Sequence, residues 1–144
     1  MKFEDSTISK KFTYTKKTLA FGEFYFMDTF IIAEMKQGIH LSWNKIVEMI
    51  NLIHLHYGVN CKIAYISNKI NSYSFDPNHW VYFFKHYDFL VASVSICYSE
   101  MNYINATLEK KFSSKSVKRS NSLEEAISWV LNLDEFKTNS LKLK

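Results

Sequence analysis

The segment FLVASVSIC, residues 89–97, limits the possible folds of this chain more than any other. It is almost continuously apolar, interrupted only by Ser93 and Ser95. A strand with one face in water alternates apolar and polar residues, whereas a strand covered on both faces does not. The run is also much shorter than the roughly 20 residues a membrane-spanning helix needs. It therefore predicts a central strand, and a central strand requires neighbours on both sides and cover above and below. The rest of the chain has the material for this. Of its 144 residues 47% are hydrophobic and 17% aromatic, with only 3 Gly and 1 Pro, which excludes disordered, collagen-like and linker-rich chains. The length suits one domain.

Helices and strands alternate around this run. Residues 12–19 alternate Phe12 and Tyr14 with Thr13 and Thr15, which predicts a strand ended by Gly22. Residues 23–27 and 29–35 flank Asp28 and predict a hairpin. Ser42 is placed to cap a helix that Gly58 stops, with Ile46, Ile50, Ile53 and Tyr57 along one stripe. Residues 61–66 predict a strand, and 67–75 a polar loop. Asp76-Pro77 predicts a helix start, carrying Trp80, Val81, Phe83, Phe84 and Tyr87. A helix is expected over 99–112, a short edge strand over 115–119, and a last helix opened by the capping box Ser122-Leu123-Glu124-Glu125. The order is β-β-β-α-β-α-β-α-β-α, an α/β class fold with a mixed sheet and right-handed crossovers. The strands at 61–66 and 89–97 are expected to be parallel neighbours or near-neighbours. Residues 1–10 are expected to fray, 11–133 to form the domain, and 134–144 to be a polar tail.

Several classes of function find little support. The net charge is +4 and Arg119 is the only arginine, so the bidentate forks that read base edges are missing and nucleic acid is not an expected partner. Cys61 and Cys97 lie in apolar runs and read as small buried hydrophobes. No apolar leader opens the sequence, which makes the cytoplasm the expected location. His54 and His56 stand two apart on a helix and point to different faces; His79 and His86 lack a third ligand at matching spacing. No metal or cofactor is expected. The acids form no pair suited to acid–base work, and no glycine-rich phosphate loop or nucleophile elbow occurs, so no catalytic residue is assigned and an enzyme is not expected.

The element order, with YISNKINSYSFDP (Tyr65 to Pro77) and SLEEAISWV (Ser122 to Val130), resembles the SpoIIAA-like STAS domains. More narrowly it is similar to a small group of bacterial STAS-like proteins with this kind of loop. The resemblance implies a mixed sheet with helices mostly on one side and a non-enzymatic regulatory role like that of the anti-sigma factor antagonists. Those bind a kinase-like partner and are switched by phosphorylation of a serine in an Asp-Ser-Ser/Thr-Gly motif. The corresponding stretch here, 67–76, contains neither an Asp-Ser pair nor a glycine, so no switch serine is carried over.

The same stretch is the candidate site. It follows a strand and precedes a helix, where open α/β sheets bind their ligands. Ser67, Asn68, Lys69, Asn71, Ser72 and Ser74 supply hydroxyl, amide and ammonium groups, Tyr73 and Phe75 can pin the loop, and Asp76 caps the helix. The competing reading is that these groups satisfy the loop's own backbone through Asx and Ser/Thr turns. The expected function is a protein-binding module engaging its partner through this loop. The alternatives are a small-molecule, anion or lipid carrier on the same fold, and a self-associating structural module such as a homodimer.

Overall fold

The computed structural model describes residues 1–98, 116–133 and 136. Six strands form one mixed sheet in the order β1-β2-β3-β5-β7-β8. These are β1 (Thr15–Leu19), β2 (Gly22–Phe26), β3 (Phe30–Met35), β5 (Ile63–Lys69), β7 (Leu90–Cys97) and β8 (Ser116–Ser120). The first three pair antiparallel. From β3 onward every pairing is parallel. Two short strands, β4 (His40–Leu41) and β6 (Ser74–Phe75), pair parallel beside the main sheet. The apolar run is β7, held between β5 and β8.

The helices begin where the capping residues predict. In α1 (Trp43–Tyr57), Ser42 Oγ accepts from the Lys45 N–H at 3.4 Å, and Gly58 closes the helix at φ +91°, a left-handed conformation that favours glycine. In α2 (Pro77–His86), Asp76 accepts from the Asn78 N–H at 2.9 Å with Pro77 in the first turn. In α3 (Leu123–Leu131), Ser122 Oγ accepts from the Glu125 N–H at 3.1 Å. The predicted capping box is only half formed. The Glu125 carboxylate lies 3.6 Å from Lys118 Nζ on β8, and the Ser122 N–H donates instead to Ser120 Oγ. The helix expected over 99–112 lies outside the described residues.

Three expectations are corrected. Helices cover both faces rather than mostly one. Ile46, Met49, Ile50 and Ile53 of α1, with Trp80 and Phe83 of α2, pack on Phe24, Ile31, Tyr65 and Leu90 of one face. Leu123, Ala126, Ile127 and Val130 of α3 pack on Ile32, Ile66 and Val94 of the other. In β5, Ile63 and Tyr65 join the first set and Ala64 and Ile66 the second; in β7, Leu90 joins the first and Ala92, Val94 and Ile96 the second.

Residues 1–10 are not frayed. Two 3₁₀ turns (Phe3–Asp5 and Thr7–Lys11) fold onto the α3 side of the sheet, with Phe3 fully buried against Tyr14 and Tyr25 at ring separations of 5.1 and 4.9 Å. Ser6 Oγ donates to the Phe3 carbonyl and Ser9 Oγ to the Ser6 carbonyl. The polar composition that suggested fraying thus ties down the turns.

Gly22, finally, opens β2 rather than breaking β1; the turn falls at Ala20-Phe21. A Cβ at position 22 would stand 2.9 Å from the Glu34 carbonyl oxygen, so glycine serves a close strand approach.

At the outer edge, β1 exposes Thr15 to Thr18, with Lys16 and Lys17 guarding the open backbone.

Candidate functional site

Parallel strands bring their carboxyl ends to one rim, and the candidate residues lie there. The predicted loop is shorter than expected because β5 continues through Ser67, Asn68 and Lys69. Ser, Asn and Lys are poor strand formers, which is why the stretch reads as a loop. Pairing with β7 along all three residues, and with β3 at Ser67, overrides that preference. Ser67 aligns with Ala33 of β3 and Ser95 of β7, and Lys69 aligns with Cys97. All three residues are buried, at 3%, 1% and 2% exposure.

Alternation then sends them to opposite faces. On the α1/α2 side, Lys69 Nζ donates to Tyr73 Oη at 2.7 Å and lies 4.6 Å from that ring's centre and 5.6 Å from that of Phe75. Ser67 Oγ is 3.2 Å from the same hydroxyl. Tyr73 and Phe75 do pin the loop. On the α3 side, Asn68 joins a polar network. Its Nδ2 donates to Glu34 Oε2 at 2.7 Å and to the Met1 carbonyl at 2.9 Å, and its Oδ1 accepts from Tyr98 Oη at 2.8 Å. The Phe3 N–H completes the set by donating to Glu34 Oε2 at 2.8 Å. Burial pushes the Glu34 carboxyl above its ordinary value, against the pull of these two donors. The Tyr98 hydroxyl is pushed up to about 12, by burial first and by the Glu34 charge second.

The rest of the stretch faces outward. Asn71 Nδ2 donates to the Met35 carbonyl at 3.0 Å. Ser72 is exposed; its N–H donates to Gln37 Oε1 at 2.9 Å and its carbonyl accepts from the Gly38 N–H at 2.7 Å. Ser74 is exposed and its Oγ sits 2.7 Å from His40 Nδ1 across the β4–β6 pair. These contacts shape a groove of about 440 Å3 lined by Gln37, Gly38, Ile39, Ser72, Tyr73, Ser74 and Phe75.

Ser42 and Asp76 follow β4 and β6 directly, so the paired strands set the first turns of α1 and α2 side by side. There Trp43 meets Tyr82 edge-on at 4.9 Å and His79 at 6.0 Å, with Tyr82 49% exposed. Trp80 and Phe83 belong to the core.

Glu34 is the residue that sequence reasoning missed. It sits in an apolar strand as a lone acid at a position facing the core, and that was its signal. Elsewhere, His54 packs on Phe89 and His56 on Phe26. Among the described residues no three His, Cys, Asp or Glu side chains gather as a metal site. No described helix is long and apolar enough to cross a membrane.

The sheet order and the two helical layers define the fold as SpoIIAA-like. A crystal structure of an uncharacterized protein of the DUF3478 family from Shewanella loihica PV-4, described as having a SpoIIAA-like fold, superposes with a TM-score of 0.52. The match covers 82% of this chain and 92% of that one at 11% identity, so the likeness is one of fold. Neither a family model nor a curated protein matches the sequence.

Proposed function

We propose that this protein is a non-enzymatic STAS-like module that binds a protein partner through the rim formed by Gln37–Ile39, Ser72–Phe75 and the adjoining Trp43/Tyr82 face. The observation that carries this reading is the groove of about 440 Å3 on a ridge whose backbone is fixed by the β4–β6 pair. A rigid rim with exposed hydroxyls and a half-exposed aromatic is the kind of surface that serves as an interface core. Ser67, Asn68 and Lys69 act here as the frame, and Ser72, Tyr73, Ser74 and Asp76 as the surface. The lack of an Asp-Ser-Ser/Thr-Gly turn argues against control by a switch serine in this rim.

The test is site-specific photo-crosslinking in native lysate from position 72 and, as a control, from Lys62 near the amino-terminal end of β5. One discrete adduct from position 72, absent from position 62 and suppressed by Tyr82→Ala, is expected. Identical adducts from both positions, or none from position 72, would refute the reading.

A further inference from the structure

We propose that the cleft beside the carboxyl ends of β3 and β5, on the Glu34 side of the rim, binds a small zwitterion of the α-amino acid type. The cleft has a volume of about 200 Å3 and is lined by Lys2, Glu23, Glu34, Lys36, Ile70 and Asn71, among others. An apolar cavity of about 150 Å3 holds benzene, so this space suits a ligand of roughly six to ten non-hydrogen atoms.

Its chemistry has two poles. Glu34 is 95% buried, at 5% exposure, and only one of its oxygens is used: Oε2 takes both Phe3 and Asn68, while Oε1 accepts no hydrogen bond among the described residues. Oε1 opens to the cleft rather than being sealed from it, so a ligand ammonium placed there can pair with it. Asn71 adds a second acceptor, since its Nδ2 is committed to the Met35 carbonyl and its Oδ1 remains. Glu23 is already held by Lys16 at 3.3 Å and by Tyr25 Oη at 3.1 Å. Lys2 and Lys36 bring the positive charges of the lining and have no ion-pair partner within 4.0 Å among the described residues, although Lys2 is near enough to pull the Glu34 carboxyl down.

A simple anion in the cleft meets the Glu34 carboxylate, and a simple amine meets two ammonium groups. A ligand carrying both charges satisfies both poles. Ile70 leaves room for a short aliphatic side chain. The site is independent of the partner-binding rim, because it uses Glu34, Lys2 and Lys36 rather than Ser72–Phe75.

The experiment is calorimetric titration of the full chain, tagged at the carboxyl terminus because Phe3 is buried, with glycine, L-alanine, L-serine and L-aspartate. Methylammonium and acetate serve as the two half-ligands. Saturable binding of at least one amino acid, at least tenfold tighter than either half-ligand, is expected. Lys36→Gln and Lys2→Gln should each weaken it about tenfold, and Glu34→Gln should abolish it. The two lysine variants keep the test decisive if Glu34→Gln does not fold. Amide exchange at Phe3 should slow with bound ligand, since its N–H shares the Glu34 carboxylate. The proposal is overturned if no amino acid binds saturably. It is also overturned if methylammonium or acetate binds as well as the zwitterions, or if the lysine variants bind unchanged.

Discussion

Ser67-Asn68-Lys69 and Ser72-Tyr73-Ser74 are two polar triplets separated only by Ile70 and Asn71, and they do opposite things. The first is strand, buried at 3% exposure or less, with Asn68 bonded to residues far along the chain and Ser67 and Lys69 gathered on Tyr73. The second is rim, with both serines exposed and its main chain tied to Gln37–Ile39. Polar residues thus serve as structure where they are enclosed and as surface where they are not. What separates the two sets is whether they lie in the main sheet beside β7 or on the short β4–β6 ridge outside it.

Asn68→Leu should sharpen this contrast most. It strands the Met1 carbonyl and the Tyr98 hydroxyl and removes a donor from Glu34, so about 3 kcal/mol of stability should be lost in urea unfolding. Phe3→Ala should cost about as much, roughly 3 kcal/mol, by emptying a fully buried ring site, with faster amide exchange over residues 1–11. A loss near zero would restore the frayed amino terminus. Gly22→Ala forces a Cβ against the Glu34 carbonyl and should cost about 1–3 kcal/mol. Ser74→Ala, on the rim, should stay within about 0.5 kcal/mol. If Ser74→Ala approaches Asn68→Leu, the contrast between frame and surface fails.

Glu34 adds a dependence on pH. Its folded carboxyl binds a proton more tightly than in the unfolded chain. Its contribution is therefore most favourable below the unfolded value near 4.5 and declines as pH rises through the higher folded value. Unfolding titrations from pH 4 to 8 should show Glu34→Gln gaining on the native protein as pH rises. Parallel pH profiles for the two would show that Glu34 has no raised value.

Much of the architecture was legible from local residues. Ser42, Asp76-Pro77, Ser122 and Gly58 mark helix ends through bonds made within four residues, so their meaning does not wait for the fold. The apolar run of β7 and the stripe of α1 likewise announce how many sides are covered. The candidate stretch was divided wrongly, because pairing to β7, and of Ser67 also to β3, overrode the loop-like composition of Ser67–Lys69. Glu34 and the amino-terminal turns were not legible. Their partners lie 31 to 67 residues apart in sequence, as in Phe3 with Glu34 and Met1 with Asn68.

The sequence by itself therefore determined the order of the six main-sheet strands and the three described helices, the caps of those helices and the central place of β7, all of which follow from local hydrogen bonding and apolar periodicity. Only the tertiary structure decided which polar groups are enclosed. It placed helices on both faces, turned Ser67–Lys69 into frame, and set the buried Glu34 in the wall of a cleft that Lys2 and Lys36 also line. A polar group's burial is stable only when distant donors and acceptors meet it, and that meeting is a property of the packed chain.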